Sequence, residues 1–298
     1  MNNNKFYICK QISPNNRGFV QDMEELKHLY SISEVTPEDC YQTKGSRPVK
    51  VFCSDMEHYI CKYFTGIGPA YSLFNEYIAT AFLRVWGQKV PETAFVKVKE
   101  RHIPKPGYPL HWFEKICFGS FFLGDFKEVD KFFIENSAIR KDRYETYNSF
   151  LMIGLFDIWI SNEDRHFDNT NMLYDTSSGY FIPIDHVQIF NGNNLDKMPY
   201  PINENESILN SPLLNRLFSR TLQRDFKKIY TKIENDFNNY AHNCRIGLDD
   251  MLRQLPDEWQ LDTNYLKSRL LYLFSEDWCS ESLKTFQLIV QRNLNNKR

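Results

Sequence analysis

Apolar and polar positions alternate in two short runs near the front of the chain, "VKVFC" (49–53) and "HYICKYF" (58–64), separated by "SDME". A period of two over so few residues predicts strands, and the polar break predicts a hairpin turning at Ser54-Asp55. The period then changes. In "GPAYSLFNEYIATAFLRVWG", Leu73, Phe74, Tyr77, Ile78, Ala81, Phe82 and Val85 recur at helical spacing, and Gly87 sits where a C-terminal cap belongs. "ETAFVKVK" (92–99) alternates again and predicts a third strand. Strand, strand, helix, strand suits a small antiparallel sheet with one helix on a face. Residues 1–45 are polar and mixed and read as a turn-rich approach to the first strand.

With three prolines and a glycine in eight residues, "HIPKPGYP" (102–109) is the best linker candidate. Beyond it helices dominate. "RYETYNSFLMIGLFDIWISN" is apolar on nearly all sides, which predicts a central, buried helix. "NMLYD", a Ser-Ser-Gly turn and "YFIPID" predict a second hairpin. From 212 to 292 the pattern is helical, in the segments "SPLLNRLFSRTL", "RDFKKIYTKIENDFNNYA", "GLDDMLRQL", "TNYLKSRLLYLF" and "SEDWCSESLKTFQLIVQRN". The expected architecture is α+β, with a sheet-rich front over residues 1–110 and a helical rear over 111–298. A cleft between two such parts is a place for a ligand.

Composition narrows the class. With 42% apolar and 25% charged residues in 298, the chain is an ordinary soluble globular protein with ample core material. A net charge of −2 and a pI of about 6.4 supply no basic footprint, so no nucleic-acid partner is expected. Seven cysteines, odd in number and without CxxC spacing, read as reduced, mostly buried thiols. "MNNNKFYICKQI" lacks the apolar core of a secretory signal, and no apolar run reaches the length of a membrane span. The expected location is the cytoplasm.

The candidate chemistry concentrates in "WISNEDRHFDNTNMLYD" (159–175), a polar loop pinned between two apolar elements. Asp164 and Asn169 stand in the pattern D-x-x-x-x-N, and Asp185 ends the strand "YFIPI" sixteen residues later. On its own such a spacing recurs by chance, and turn capping by Asp and Asn explains it equally well. Three oxygen-bearing side chains around one cleft are, however, a sensible way to hold a nucleoside triphosphate with Mg²⁺, a hard cation that keeps several waters. This is the layout described for protein kinases. In "HYICKYF", Lys62 interrupts an apolar strand and must find an anion or face a large desolvation cost. The phosphates of ATP would satisfy it, with Glu76 on the next helix as partner. The alternatives are an edge-strand lysine reaching solvent and an exposed helix glutamate. Gly45 and Ser46 in "KGSRPV" offer backbone N–H groups that could cover phosphates, or an ordinary turn. His166 and His186 lack metal-ligand spacing and read as structural. Arg165 is placed to pair with Asp168 or with an acidic residue elsewhere.

These residues together resemble the HipA-like kinase family, atypical bacterial relatives of Ser/Thr protein kinases and phosphoinositide kinases. "GSRPVKV", "YICKYF", "FNEYIATAFLRVWGQKVPETAFVKV" and "FDIWISNEDRHFDNTNML…YFIPIDHVQIF" carry the likeness, and "LPDEWQLDTNYLKSRLLYL" adds a looser one. The resemblance implies a two-lobed protein-kinase-like fold and phosphoryl transfer from ATP. It implies Asp164 as catalytic carboxylate, Asn169 and Asp185 as Mg²⁺ ligands, and Lys62 as phosphate anchor with Glu76 beside it. Gly45 and Ser46 would lie in the phosphate-covering turn. Family members phosphorylate a serine in that turn, for which Ser46 is the candidate. Only about forty-five residues precede the first kinase strand, so the extra N-terminal subdomain of the toxin members is not expected. The favoured acceptor is a protein Ser or Thr hydroxyl. A small-molecule or inositol-lipid acceptor, and a nucleotide-binding scaffold without turnover, are the alternatives.

Overall fold

The computed structural model describes residues 25–42, 47–105, 107–137, 139, 144–217 and 220–295. The front half is a five-stranded sheet in the order β1-β4-β5-β3-β2. Its strands are β1 (Lys27–Tyr30), β2 (Val49–Phe52), β3 (His58–Lys62), β4 (Thr93–Lys97) and β5 (Cys117–Phe121). The 49–64 alternation forms the expected hairpin, with Val49 opposite Cys61. Two of the five strands depart from the sequence reading. β1 comes from the segment read as turn-rich, and it pairs parallel with β4, so the sheet is mixed rather than wholly antiparallel. β5 follows the proline-rich stretch, between β3 and β4, so "HIPKPGYP" connects two strands of one sheet rather than two lobes.

Alternation fixes what each face of this sheet buries. Tyr59, Cys61, Val49, Val51, Ala94, Val96 and Cys117 form one small core with Tyr108 and Phe113. The opposite face, with Phe95 and Phe118, receives helix α1 (Tyr71–Val85). Gly87 (φ 67°) ends that helix: its N–H donates to Arg84 O at 2.9 Å, and that of Gln88 to Leu83 O at 2.9 Å. These are the paired bonds of a Schellman cap, and the left-handed position suits glycine.

The rear half follows a small sheet of β6 (Lys127–Glu128), β7 (Met172–Tyr174) and β8 (Phe181–Pro183). Helices α2 (Lys131–Asn136) and α3 (Tyr144–Trp159), the short turn α4 (Ile189–Asn193), left-handed at Phe190, Asn191 and Gly192, and helices α5 (Pro212–Leu217), α6 (Arg220–Arg253), α7 (Thr263–Leu270) and α8 (Glu276–Asn295) complete it. α6 is continuous through the point where the sequence suggested two helices. α3 is central, as its all-round apolar pattern required: residues 149–159 are buried throughout. At Gly154 an added Cβ would lie 2.4 Å from Leu209, so helix and neighbour meet there as closely as backbone allows. Trp159 and Trp278 fix the bundle through bonds to Leu273 O (2.7 Å) and Trp159 O (2.8 Å). α1 belongs to the same large core and is bonded to the rear half, with Tyr77 Oη donating to Met251 O at 2.7 Å.

The described cysteines are free thiols, and burial pushes Cys53 and Cys117 up to about 12. Among the described residues no helix is long and apolar enough to cross a membrane.

Candidate active site

Lys62 lies at the end of β3 on the face that α1 covers, opposite Phe118 of β5. An ammonium there is desolvated and needs anions. It has two: its Nζ is 2.5 Å from Glu76 Oε1 and 2.7 Å from Asp185 Oδ1. Glu76 is nearly sealed, with 4% of its side chain exposed, whereas Asp185 is 31% exposed. Burial opposes charge on both Lys62 and Glu76, yet their mutual attraction prevails, raising the lysine and depressing the glutamate well below the carboxylate range. The backbone N–H of His186 donates to Glu76 Oε1 at 2.8 Å, and its imidazole Nδ1 is 3.8 Å from Glu76 Oε2. Burial pushes this imidazole down, which keeps it neutral near pH 7. Beside Glu76, the wholly buried Asn75 donates to Val187 O (2.7 Å) and Asn193 Oδ1 (2.9 Å). Two adjacent α1 side chains therefore grip the segment that follows Asp185.

Asp164 is half-buried on the loop after α3. Asn169 Nδ2 donates to its Oδ1 (2.9 Å) and carbonyl (3.0 Å), and Asn171 Nδ2 donates to its Oδ2 at 3.2 Å. With both Asn169 donors directed at Asp164, Oδ1 is the polar atom that amide has left for a cation. The loop is cross-braced: His166 and Asn169 exchange backbone bonds of 3.0 and 3.1 Å, and His166 Nδ1 accepts from Asp168 N–H. The His166 imidazole thus meets loop backbone, and that of His186 faces the Glu76 carboxylate.

What joins the two clusters is Arg165, whose side chain is wholly buried. It pairs with Asp157 of α3, not with Asp168, which binds Lys131 at 2.5 Å. It also donates from Nε to Asn171 O (3.3 Å) and from Nη2 to Ile184 O (2.9 Å). Ile184 N–H in turn donates to Asn171 O at 2.9 Å, extending the β7–β8 ladder to the residue before Asp185. Asn171 and Asp185 both have left-handed φ, 44° and 57°, a region that asparagine and aspartate enter more readily than other residues with a side chain. Burial pushes the Asp157 carboxyl up to about 6 in spite of the guanidinium beside it.

The structure thus brings Lys62, Glu76 and Asp185 into direct contact, brings Asp164 and Asn169 into direct contact, and ties the two groups through Asn171 and Arg165. Gly45 and Ser46 lie outside the described residues. Asn171, Asn75 and Asp157 were not among the sequence candidates. Asp157 had a signal, a lone carboxylate inside "FLMIGLFDIWI", and a charge there needs a buried partner. Among the described residues no group of three or more His, Cys, Asp or Glu could enclose a metal. The donor set, one carboxylate and one amide oxygen, fits a hard cation that takes its remaining ligands from phosphate and water.

No curated protein matches the chain. Among solved structures it is similar to the Helicobacter pylori proinflammatory kinase CtkA, at 14% identity and TM-score 0.48, over 91% of this chain and 99% of that one. It is also similar to the Golgi casein kinase, at 12% identity and TM-score 0.44, over 86% of this chain and 74% of that one. The same kinase with Mn/ADP bound gives 13% identity and TM-score 0.41, over 86% and 73%. The assignment rests instead on a family model described as HipA-like kinase, which matches residues 41–287, and the chain therefore belongs to the HipA-like kinase family of phosphotransferases.

Proposed function

We propose that this protein transfers the γ-phosphoryl group of Mg·ATP to a Ser or Thr hydroxyl of a protein. The observation that carries the reading is the Lys62 ammonium held between Glu76 and Asp185, tied through Arg165 and Asn171 to the Asp164–Asn169 pair. A buried cation with one sealed and one half-open carboxylate is pre-aimed: Glu76 fixes its direction, and its positive charge faces the side where Asp185 is accessible. Triphosphate oxygens entering there take the place of Asp185 on Lys62, while Glu76 keeps the ammonium in position.

The roles divide by environment. Lys62 binds phosphate oxygens, and Glu76 orients it. Asn169 through Oδ1 and Asp185 would hold Mg²⁺, which when bound neutralises charge on the β- and γ-phosphates. Asp164, its two oxygens steadied by Asn169 and Asn171, receives the proton of the acceptor hydroxyl. As the hydroxyl oxygen bonds to the γ-phosphorus, the bond to the β-phosphate oxygen breaks and ADP leaves. The lobes divide after β5, between Phe121 and β6, and the triphosphate lies between β3 and the 164–185 hairpin.

Labelled-ATP transfer tests this. Asp164→Ala should abolish transfer while Mg·ATP still binds, and Asp185→Ala should weaken binding as well. Transfer that persists in Asp164→Ala overturns the assignment.

A further inference from the structure

Asp157, Asn162 and Arg165 are buried, and they connect α3, the loop that carries Asp164 and the β7–β8 hairpin that leads to Asp185. Asp157 leaves α3, and its Oδ1 accepts from both Asn162 Nδ2 (2.8 Å) and Arg165 Nη1. Asn162 returns a bond to α3 through its own N–H to Asp157 O (2.8 Å), while its Oδ1 accepts from the Asp164 N–H at 3.3 Å. Arg165 reaches β7 through Asn171 O and the end of β8 through Ile184 O. We propose that this buried triad is the positioning device that sets Asp164 and Asp185 in register, a role that rests on the phosphotransferase reading above.

Two observations separate positioning from simple stabilisation. Asp157 Oδ2 is buried without a hydrogen-bond partner among the described residues, so the ion pair is poorly satisfied as a stabilising element. Apolar side chains of similar volume commonly replace such buried pairs without loss of stability. A guanidinium, in contrast, has a fixed fork that can address three acceptors at defined angles, which lysine cannot reproduce. The acceptors it addresses are telling. They are the carbonyl of Asn171, itself left-handed, and the carbonyl of Ile184, just before left-handed Asp185. Asn171 steadies Asp164 and Asp185 faces Lys62, so the guanidinium acts on both halves of the site through their backbone.

The test compares Asp157→Leu, Arg165→Met, the double variant and Arg165→Lys in the full chain, by urea unfolding and by labelled transfer from Mg·ATP. Each single apolar variant should lower the unfolding midpoint, and the double variant should recover it. Transfer should not recover: kcat of the double variant should stay about a hundredfold down, the size expected when reacting groups are misplaced by about an ångström. Arg165→Lys should fold and lose about tenfold or more in kcat. A double variant that recovers both the midpoint and a kcat within about threefold of the parent overturns the proposal. If the parent itself transfers no phosphate, the functional reading fails, and amide exchange at Ile184 decides the triad. Faster exchange in Arg165→Lys supports the fork's hold on β8, and unchanged exchange overturns it.

Discussion

Replacing Lys62 with methionine keeps most of the side-chain volume and removes the charge. Glu76, only 4% exposed, is then left with the His186 N–H at 2.8 Å and a neutral imidazole 3.8 Å away. Breaking a buried pair from one side costs about 3–5 kcal/mol, because the remaining charge is uncompensated. Asp185 adds little to this, being half-open to water. At about 2–4 °C per kcal/mol for a chain of this size, the melting temperature should fall by about 10 °C. Adding Glu76→Gln removes the orphaned charge and keeps an oxygen for the His186 N–H. The double variant should return to within about 1 kcal/mol of the parent. Urea unfolding followed by tryptophan fluorescence at pH 7 reads both. A Lys62→Met protein within about 1 kcal/mol of the parent would refute the reasoning about the buried Lys62–Glu76 pair, as would a double variant no more stable than the single.

Gly154→Ala should destabilise by about 1–3 kcal/mol, since its Cβ would lie 2.4–2.8 Å from three Leu209 carbons; adding Leu209→Ala should relieve part of the loss, checked by unfolding midpoints. His186 gives a pH signature. Its imidazole is depressed by burial, so below about pH 6.5 the unfolded chain takes a proton that the folded one refuses. That contribution is present above pH 6.5 and is lost as pH falls towards the folded value, and His186→Gln should flatten this part of the stability–pH curve. Asn75→Ala removes both of α1's bonds to Val187 and Asn193, and it should raise KM for Mg·ATP by loosening the segment after Asp185, measured by steady-state kinetics.

Patterns that depend on a residue's own neighbours were legible in the chain. α1 announced itself through its apolar stripe and Gly87, and α3 through its all-round apolar run. β1 did not, because "KHLY" is largely exposed and becomes a strand only by pairing with β4. β5 was masked by the proline-rich stretch before it. α6 seemed to break at "HNCR", but Ala241, Cys244 and Leu248 keep the core-facing side continuous. In the site, Lys62 was conspicuous as a charge in an apolar strand, and Asp164, Asn169 and Asp185 by their setting on a polar loop and strand end between apolar elements. Glu76 was ambiguous, since its burial follows from α1 docking on both the sheet and the rear helices. Asn75 was hidden because its partners, Val187 and Asn193, lie across the fold, where spacing along the chain carries no information. Asn171 and the Asp157–Arg165 pair have partners seven and eight residues away, and they were missed because the loop must fold before those side chains meet.

A crystal structure with Mg²⁺ and a non-hydrolysable ATP analogue tests the central claim most directly. The account predicts Lys62 on phosphate oxygens, the cation on Asn169 Oδ1 and Asp185, and the γ-phosphate facing Asp164. A nucleotide bound elsewhere, with the Lys62–Glu76–Asp185 cluster closed and out of contact with it, would contradict the account.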